Sequence, residues 1–135
     1  MSQFLCLNWA EFEADSFTTI QSLLSDTEFA DVTLVSHDEE QIKAHKVILC
    51  AASPFFRRII SKTTHTHPLL FLKNINQKIL KSIIRFIYLG HTEVEKDEVE
   101  AFLNIATDLE VKGLASDMDA KNSSEQNMES VKYSK

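Results

Sequence analysis

The segment from Phe29 to Ile60 decides the fold. It begins FADVTLV (29–35), continues after a polar loop as QIKAHKVILCAA (41–52) and ends SPFFRRII (53–60). In its first part, apolar and β-branched side chains alternate with the two-residue period of a strand, and the loop of about five residues leads to a second strand. The apolar period then becomes helical, and Ser53-Pro54 starts a new helix, with Ser as N-cap and Pro at the first helical position. This segment therefore predicts a strand hairpin that leads into two short apolar helices.

Composition predicts one globular, helix-rich domain. The chain has 135 residues, of which 44% are hydrophobic and 25% charged, with two Gly and two Pro, so it can bury a core and does not resemble an all-β sandwich. It contains no apolar run of the roughly 18 residues that span a bilayer, and no secretory signal is predicted. The net charge of −6 argues against direct nucleic-acid contact, which normally needs a basic surface.

The N-terminal segment predicts a short strand and an amphipathic helix. Residues 4–7 are an apolar run typical of a small strand, and Asn8 can cap a helix that starts at Trp9. The apolar stripe of this helix consists of Trp9, Phe12, Phe17, Ile20, Leu23 and Leu24. Such a stripe has to be buried, and periodicity leaves two alternatives open: packing against its own domain or against a second copy.

Four further elements are predicted downstream. They are a strand buried on both faces at residues 69–72, a helix capped by Asn76 and ended by Gly90, an edge strand at residues 92–94, and a helix at residues 97–109. Residues 116–135 contain no Leu, Ile or Phe, so they cannot offset the entropy cost of ordering. We therefore predict a domain at residues 1–115 and a disordered tail or linker at 116–135.

Histidines and cysteines do not predict a metal site. His65 and His67 form the closest pair, but no cysteine or acidic pair with ligand spacing lies near them. Cys6 and Cys50 stand in apolar surroundings at unrelated spacing, which predicts buried free thiols.

Catalytic chemistry is not predicted either. His45 lies between a strand and an apolar helix, where a buried structural histidine is expected. Ser53 is a helix cap with no glycine-rich elbow around it. With two glycines in the whole chain, a phosphate-binding glycine loop is excluded. The sequence therefore predicts neither an enzyme nor a cofactor.

Three motifs resemble the BTB/POZ domain family: DVTL at 31–34, AHKVIL at 44–49 and ASPFF at 52–56. The segment from Leu5 to Phe12 resembles the N-terminal motif of the Tramtrack group of that family, Phe-x-Leu-Arg-Trp-Asn-Asn-Tyr. Trp9 and the aromatic residue three positions later are kept, whereas Asn8 replaces Arg and Ala10-Glu11 replace the two Asn. The resemblance covers about residues 5–115.

The resemblance implies an α/β (α+β) fold, in which short α-helices cluster with a small mixed sheet and dimerise through the N-terminal strand and first helix. It implies an interaction domain without catalysis, cofactor or membrane contact, found in nuclear transcription and chromatin factors that contact DNA through a separate module. The implied partners are a second copy of the chain, related BTB domains and transcriptional co-regulators. A dimer and a larger multimer both remain open.

The resemblance also implies two groups of site residues. The dimer interface would contain Leu5, Leu7, Trp9, Phe12, Phe17, Ile20, Leu24 and Val47. Asp31 and Lys46 match the acidic and basic residues of a charged pocket near the dimer groove. They are either a structural ion pair or a polar part of the partner-binding groove, and both interpretations stay open here.

A different function in the same family is a substrate adaptor for a cullin ubiquitin ligase. Such adaptors tend to carry a hydrophobic-x-Glu motif after the paired helices and an extra helical box after the domain. Residues 61–68 contain no acidic side chain, and the C-terminal segment lacks a helical pattern. This alternative is therefore weaker than the transcription-factor interpretation.

Overall fold

A computed structural model describes residues 2–114 and shows an α+β arrangement of five α-helices and three strands within that range. In chain order the elements are α1 (Phe12–Ser22), β1 (Val32–Val35), β2 (Gln41–Ala44), α2 (Lys46–Ala52), α3 (Pro54–Ser61), β3 (Leu69–Phe71), α4 (Gln77–Leu89), a 3-10 helix (Lys96–Glu98) and α5 (Val99–Asp108). The predicted fold class is confirmed. The predicted tail lies outside the described residues. None of the helices in residues 2–114 is long and apolar enough to cross a membrane.

The sheet is mixed, with strand order β2-β1-β3. The central strand β1 pairs antiparallel with β2 and parallel with β3, and Thr33 stands opposite Lys43 on one side and Leu69 on the other. Val32 and Leu34 are fully buried, because their face of β1 packs against the helices. The hairpin predicted from the alternating pattern is confirmed.

A single serine joins the paired helices to the end of the domain. The Ser53 hydroxyl accepts a hydrogen bond from the Phe56 N–H at 3.0 Å, as an N-cap does, and donates one to the Leu109 carbonyl at 2.6 Å. Pro54 occupies the first turn of α3. The predicted helix start at Ser53 is confirmed, and the same side chain also holds the C-terminus of α5.

Helix α4 runs through the core and has both predicted ends. The Asn76 side chain accepts a hydrogen bond from the Ile79 N–H at 2.9 Å, and Gly90 ends the helix with a φ of 85°, a conformation that glycine adopts without steric cost. The buried side chains of this helix are Ile79, Leu80, Ile83, Ile84 and Tyr88. They form the centre of the hydrophobic core together with residues of α2, α3 and α5.

Two predicted strands are absent from the described chain, and a third is less buried than predicted. Residues 4–7 and 92–94 have no strand pairing among residues 2–114. β3 is a strand, but it lies at a sheet edge, and the side chains of Leu69 and Phe71 are exposed. The prediction that residues 69–72 are buried on both faces is therefore wrong for these two residues, although Leu72 is buried.

The first helix begins later than predicted. Its N-cap is Glu11, whose side chain makes no capping bond, and residue 10 lies in a turn. Asn8 does not cap the helix; its side-chain oxygen lies 4.0 Å from the Cys6 sulfur. Cys6 is exposed and Cys50 is half-buried, so the prediction of two buried thiols is wrong for Cys6, which lies in a segment that packs against no core.

Candidate interaction surface

Helix α1 has an apolar stripe that the described chain does not cover. Trp9 is 61% exposed, Phe12 53% and Phe17 52%, and α1 contains no buried residue. Of the two alternatives for this stripe, packing against its own domain is therefore wrong for the N-terminal part of the helix. We call the exposed set the N-terminal apolar surface; it consists of Phe4, Leu5, Leu7, Trp9, Phe12, Phe17 and Ile20.

The C-terminal end of α1 attaches the helix to the core. Leu23 and Leu24, which directly follow the helix, are partly buried against the hydrophobic core. The Gln21 side-chain amide donates a hydrogen bond to the carbonyl of Leu89 at the end of α4, at 3.4 Å. The apolar side chains nearer the N-terminus are thereby presented to solvent on a helix whose far end is fixed.

The side chain of Trp9 contacts those of Phe12 and Asp15 around the start of α1. The rings of Trp9 and Phe12 lie 5.1 Å apart at an interplanar angle of 70°, the edge-to-face geometry that aromatic pairs prefer. The indole N–H of Trp9 donates a hydrogen bond to the Asp15 carboxylate at 2.9 Å. Trp9 is therefore held in one orientation although most of its surface faces solvent.

Lys46 and the exposed Val47 begin α2, and Asp31, which directly precedes β1, contacts the start of this helix. The Asp31 carboxylate accepts a hydrogen bond from the backbone N–H of Lys46 at 2.7 Å, and the Lys46 ammonium donates to the carbonyl of His65 at 3.4 Å. The two side chains do not form an ion pair within residues 2–114. The ion-pair interpretation is therefore corrected: Asp31 binds the free backbone N–H at the start of α2, because helix N-termini leave such donors unpaired.

His45 is buried and hydrogen-bonded, as predicted for a structural histidine. Its Nδ1 lies 2.7 Å from the Tyr88 hydroxyl, and its backbone N–H donates to the same oxygen at 2.9 Å. Burial raises the pKa of Tyr88 to about 12, so this hydroxyl stays protonated at physiological pH. The pair joins the start of α2 to the C-terminal end of α4.

His65 and His67, in the loop before β3, both make hydrogen bonds. The backbone N–H of His67 donates to Nδ1 of His65 at 3.3 Å, and Nε2 of His67 lies 2.8 Å from the Thr33 hydroxyl. Residues 2–114 hold no group of three or more His, Cys, Asp or Glu side chains that could bind a metal ion. The His67 imidazole thus joins the loop to the central strand, and the His65 imidazole contacts the loop backbone.

Two polar contacts between distant parts of the chain could not be predicted from the sequence. Arg58 and Glu110 form a paired salt bridge with distances of 3.0 and 2.9 Å, which raises the pKa of Arg58 and lowers that of Glu110. Asp38 in the hairpin loop accepts hydrogen bonds from the Ser36 hydroxyl and from the Gln77 N–H at the start of α4. Neither contact has a local sequence signal, because each partner is an ordinary polar residue of another element.

Comparison with known proteins identifies sequence relatives over most of the chain. A profile of the BTB/POZ domain family matches residues 20–126. Protein bric-a-brac 1 of Drosophila melanogaster is 38% identical over 114 residues, which cover 84% of this chain and 12% of that protein. Longitudinals lacking protein-like of the same species is 36% identical over 109 residues, which cover 81% of this chain and 85% of that protein.

Solved structures share the fold. The BTB domain of human gigaxonin superposes with a TM-score of 0.70 at 23% sequence identity, covering 89% of this chain and 98% of that chain. The sequence relatives are Drosophila proteins of the Tramtrack group. The profile match begins at residue 20, so Trp9, Phe12 and Phe17 precede it, whereas β1, α2 and α3 lie within it.

Proposed function

Since this chain belongs to the BTB/POZ domain family, whose members are protein–protein interaction domains and not enzymes, we propose that it forms a homodimer. The surfaces that meet are α1, the segment before it and the start of α2. Association buries the N-terminal apolar surface, which the folded chain leaves in water, and burial of apolar area is the main driving force of such interfaces.

The exposure of the predicted interface residues carries this proposal. Of the eight residues that the family resemblance implies, Leu24 alone packs partly against the chain's own core. The other seven are exposed: Leu5, Leu7, Trp9, Phe12, Phe17, Ile20 and Val47. A group of exposed apolar side chains that includes several large aromatic ones is typical of an interaction site. A second copy supplies the same apolar side chains, so the interface is self-complementary across a two-fold axis.

Two unpaired segments support a dimer in which strands are exchanged. Residues 4–7 and 92–94 both have strand-forming sequences, and neither has a strand partner within residues 2–114. Pairing of the first segment with the second segment of another copy satisfies the backbone donors and acceptors of both. We propose this exchange because the family resemblance implies that the first strand and helix pass between subunits.

Asp31, before β1, and Lys46, at the start of α2, belong to the same proposal. Lys46 binds a carbonyl oxygen through its ammonium group, and its neighbour Val47 is 74% exposed. A side chain held by one backbone acceptor retains further donors for a partner. We therefore assign Asp31 and Lys46 to a polar element beside the apolar contact, where they orient the partner.

The proposed biological role is assembly of a nuclear transcription or chromatin regulator. Homologues of this chain are transcription factors, and the chain spans 12% of the length of bric-a-brac 1. In this proposal the domain also binds related BTB domains and transcriptional co-regulators, and a separate module contacts DNA. The net charge of −6 supports that division, because phosphate contacts need basic side chains.

Light scattering coupled to gel filtration tests the homodimer directly. The full chain is measured over a wide concentration range, and the expected species has twice the 15.4 kDa mass of one chain. A larger discrete species would indicate assembly beyond the dimer. A single chain at every concentration would refute the proposal.

The double variant Trp9→Ala/Phe12→Ala tests the assignment of the surface. Truncating aromatic anchors at an interface commonly costs about 2 kcal/mol or more each, so the dimer should dissociate or, if folding is coupled to association, become insoluble. Phe71→Ala is the matched control, because Phe71 is 54% exposed, as Phe12 is, but lies on β3. A folded double variant whose mass equals that of the control would exclude α1 from the interface.

A further inference from the structure

The backbone of Trp9 is fixed before α1 begins. Its carbonyl accepts a hydrogen bond from the Phe12 N–H at 3.1 Å, so the residue closes the turn that leads into the helix. Because Glu11 makes no side-chain capping bond, this contact is part of what orders the first turn. This hydrogen bond thus fixes the backbone of Trp9 relative to the first turn of α1.

The Trp9 side chain is fixed as well, although it is not buried. The edge-to-face contact with Phe12 restricts where the ring lies, and the hydrogen bond from the indole N–H to the Asp15 carboxylate restricts its rotation. A hydrogen bond to an ionised acceptor is stronger than one between neutral groups. Trp9 therefore presents one defined surface, 61% exposed, to the solvent.

We propose that Asp15 is a positioning residue that holds the Trp9 indole ready for contact with a second copy of this chain. The inference rests on the homodimer proposed above and adds to it the group that organises the central aromatic side chain. Association normally loses free energy when mobile side chains become ordered at the interface. A tryptophan that is already ordered in the free chain avoids that loss, so Asp15 strengthens the dimer even without touching the partner.

Glu13 distinguishes this role from a general effect of negative charge. Glu13 and Asp15 are both acidic residues of the first turn of α1, where either carboxylate interacts favourably with the helix dipole. Within residues 2–114, the Glu13 side chain makes no hydrogen bond or ion pair, whereas Asp15 binds the indole. Glu13→Ala therefore removes the same charge from the same turn and leaves the Trp9 contact in place.

The experiment compares Asp15→Ala, Asp15→Asn and Glu13→Ala in the full chain with two measurements. Trp9 is the only tryptophan, so quenching of intrinsic fluorescence by acrylamide reports its mobility without a label. Native mass spectrometry of mixed nitrogen-15-labelled and unlabelled protein reports the rate of subunit exchange. Interface changes act mainly on dissociation, so exchange is the sensitive quantity.

For Asp15→Ala we expect easier quenching of Trp9 and an exchange rate about fivefold higher, which corresponds to one hydrogen bond of about 1 kcal/mol. Asp15→Asn should restore both values in part, because the amide oxygen still accepts the indole N–H but is not ionised. Glu13→Ala should match the wild-type protein. Equal exchange rates for Asp15→Ala and Glu13→Ala in a dimeric protein would overturn this inference alone, whereas a wild-type protein that stays monomeric would also overturn the proposed function.

Discussion

Tyr88 and His45 illustrate how individual buried polar side chains connect separate elements of this domain. The Tyr88 hydroxyl is almost fully buried. It accepts a hydrogen bond from the backbone N–H of His45 and forms a second one with the ring Nδ1 of the same residue. Buried polar groups of this kind contribute little net stability when paired, but they cost much when a partner is removed. Local sequence identified His45 as structural, because it stands between a strand and an apolar helix. It could not identify Tyr88 as the partner, since the two are far apart in the chain.

Replacing Tyr88 with Phe should therefore destabilise the protein without changing the shape of the core. The substitution removes one oxygen and leaves the backbone N–H and Nδ1 of His45 without that partner in a buried site. We expect the free energy of unfolding in urea to fall by about 1–3 kcal/mol, with unchanged helical circular dichroism. Tyr88→Leu removes the ring as well as the hydroxyl, so its additional loss of stability relative to Tyr88→Phe measures the contribution of ring packing. A change in stability below about 0.5 kcal/mol would contradict the role given to the hydroxyl.

At the scale of elements, the helix boundaries that local side chains set were predictable. Ser53, Asn76 and Gly90 each satisfy backbone groups at a helix end, and the sequence shows them beside the periodic segments that they terminate. The strands were less predictable, because a strand exists only with a partner edge. Residues 4–7 and 92–94 have suitable patterns without partners in the described chain, and periodicity did not distinguish the edge position of β3 from a central one.

The candidate surface was predictable in part for the same physical reason. The stripe from Trp9 to Leu24 could be read from helical periodicity, but periodicity does not say which molecule covers it. The structure separates the stripe into an attached end at Leu24 and an exposed end at Trp9. The hydrogen bond between Trp9 and Asp15 could not be foreseen, because the predicted helix began at Trp9, whereas the turn before Phe12 places the indole against the helix.

The hydrogen bonds to Asp38 in the hairpin loop make the stability of the fold depend on pH. Hydrogen bonds, chiefly from the Ser36 hydroxyl, lower the pKa of Asp38 below its ordinary value of 3.8. The folded state therefore favours the ionised carboxylate more than the unfolded state does. The resulting stability is complete above the ordinary pKa and is lost as the pH falls through the lower folded value.

We expect Asp38→Asn to weaken this dependence, because an amide cannot ionise. Thermal unfolding is measured between about pH 5 and pH 3, where unfolded carboxyl groups titrate. The melting temperature of the wild-type protein should fall more steeply across this range than that of the variant. Glu13→Gln is the control, since it removes an exposed carboxylate that has no side-chain partner within residues 2–114. Parallel curves for wild type and Asp38→Asn would show that ionisation of Asp38 does not contribute to the pH dependence.

At the scale of the whole molecule, the domain consists of a buried core and an N-terminal part that extends from it. The core unites α2 to α5 with the sheet, and Arg58 and Glu110 hold the end of α5 against α3. The N-terminal part is attached through Gln21, Leu23 and Leu24 at the end of α1. If the proposed homodimer forms through the N-terminal apolar surface, folding of the core and assembly depend on largely separate sets of side chains.

Deletion of residues 2–7 tests this separation. Phe4, Leu5 and Leu7 are almost completely exposed, so their removal takes no buried contact from the single chain. We expect the truncated protein to keep the far-ultraviolet circular dichroism of the full chain at matched concentration. Its dimer should be weaker, so that it dissociates at protein concentrations at which the full chain is still dimeric, as measured by light scattering. An unfolded truncated protein at concentrations where the full chain is monomeric would show that the segment stabilises the core itself.

The mixed sheet has a further consequence for the order in which the molecule folds. The pairing of β1 with β2 closes a loop of a few residues. The parallel pairing of Thr33 with Leu69 closes a much longer loop, which contains β2, α2 and α3. Loop closure loses more entropy as the loop lengthens, and contacts between distant residues slow folding. We therefore expect the hairpin and the paired helices to form before β3 pairs with β1.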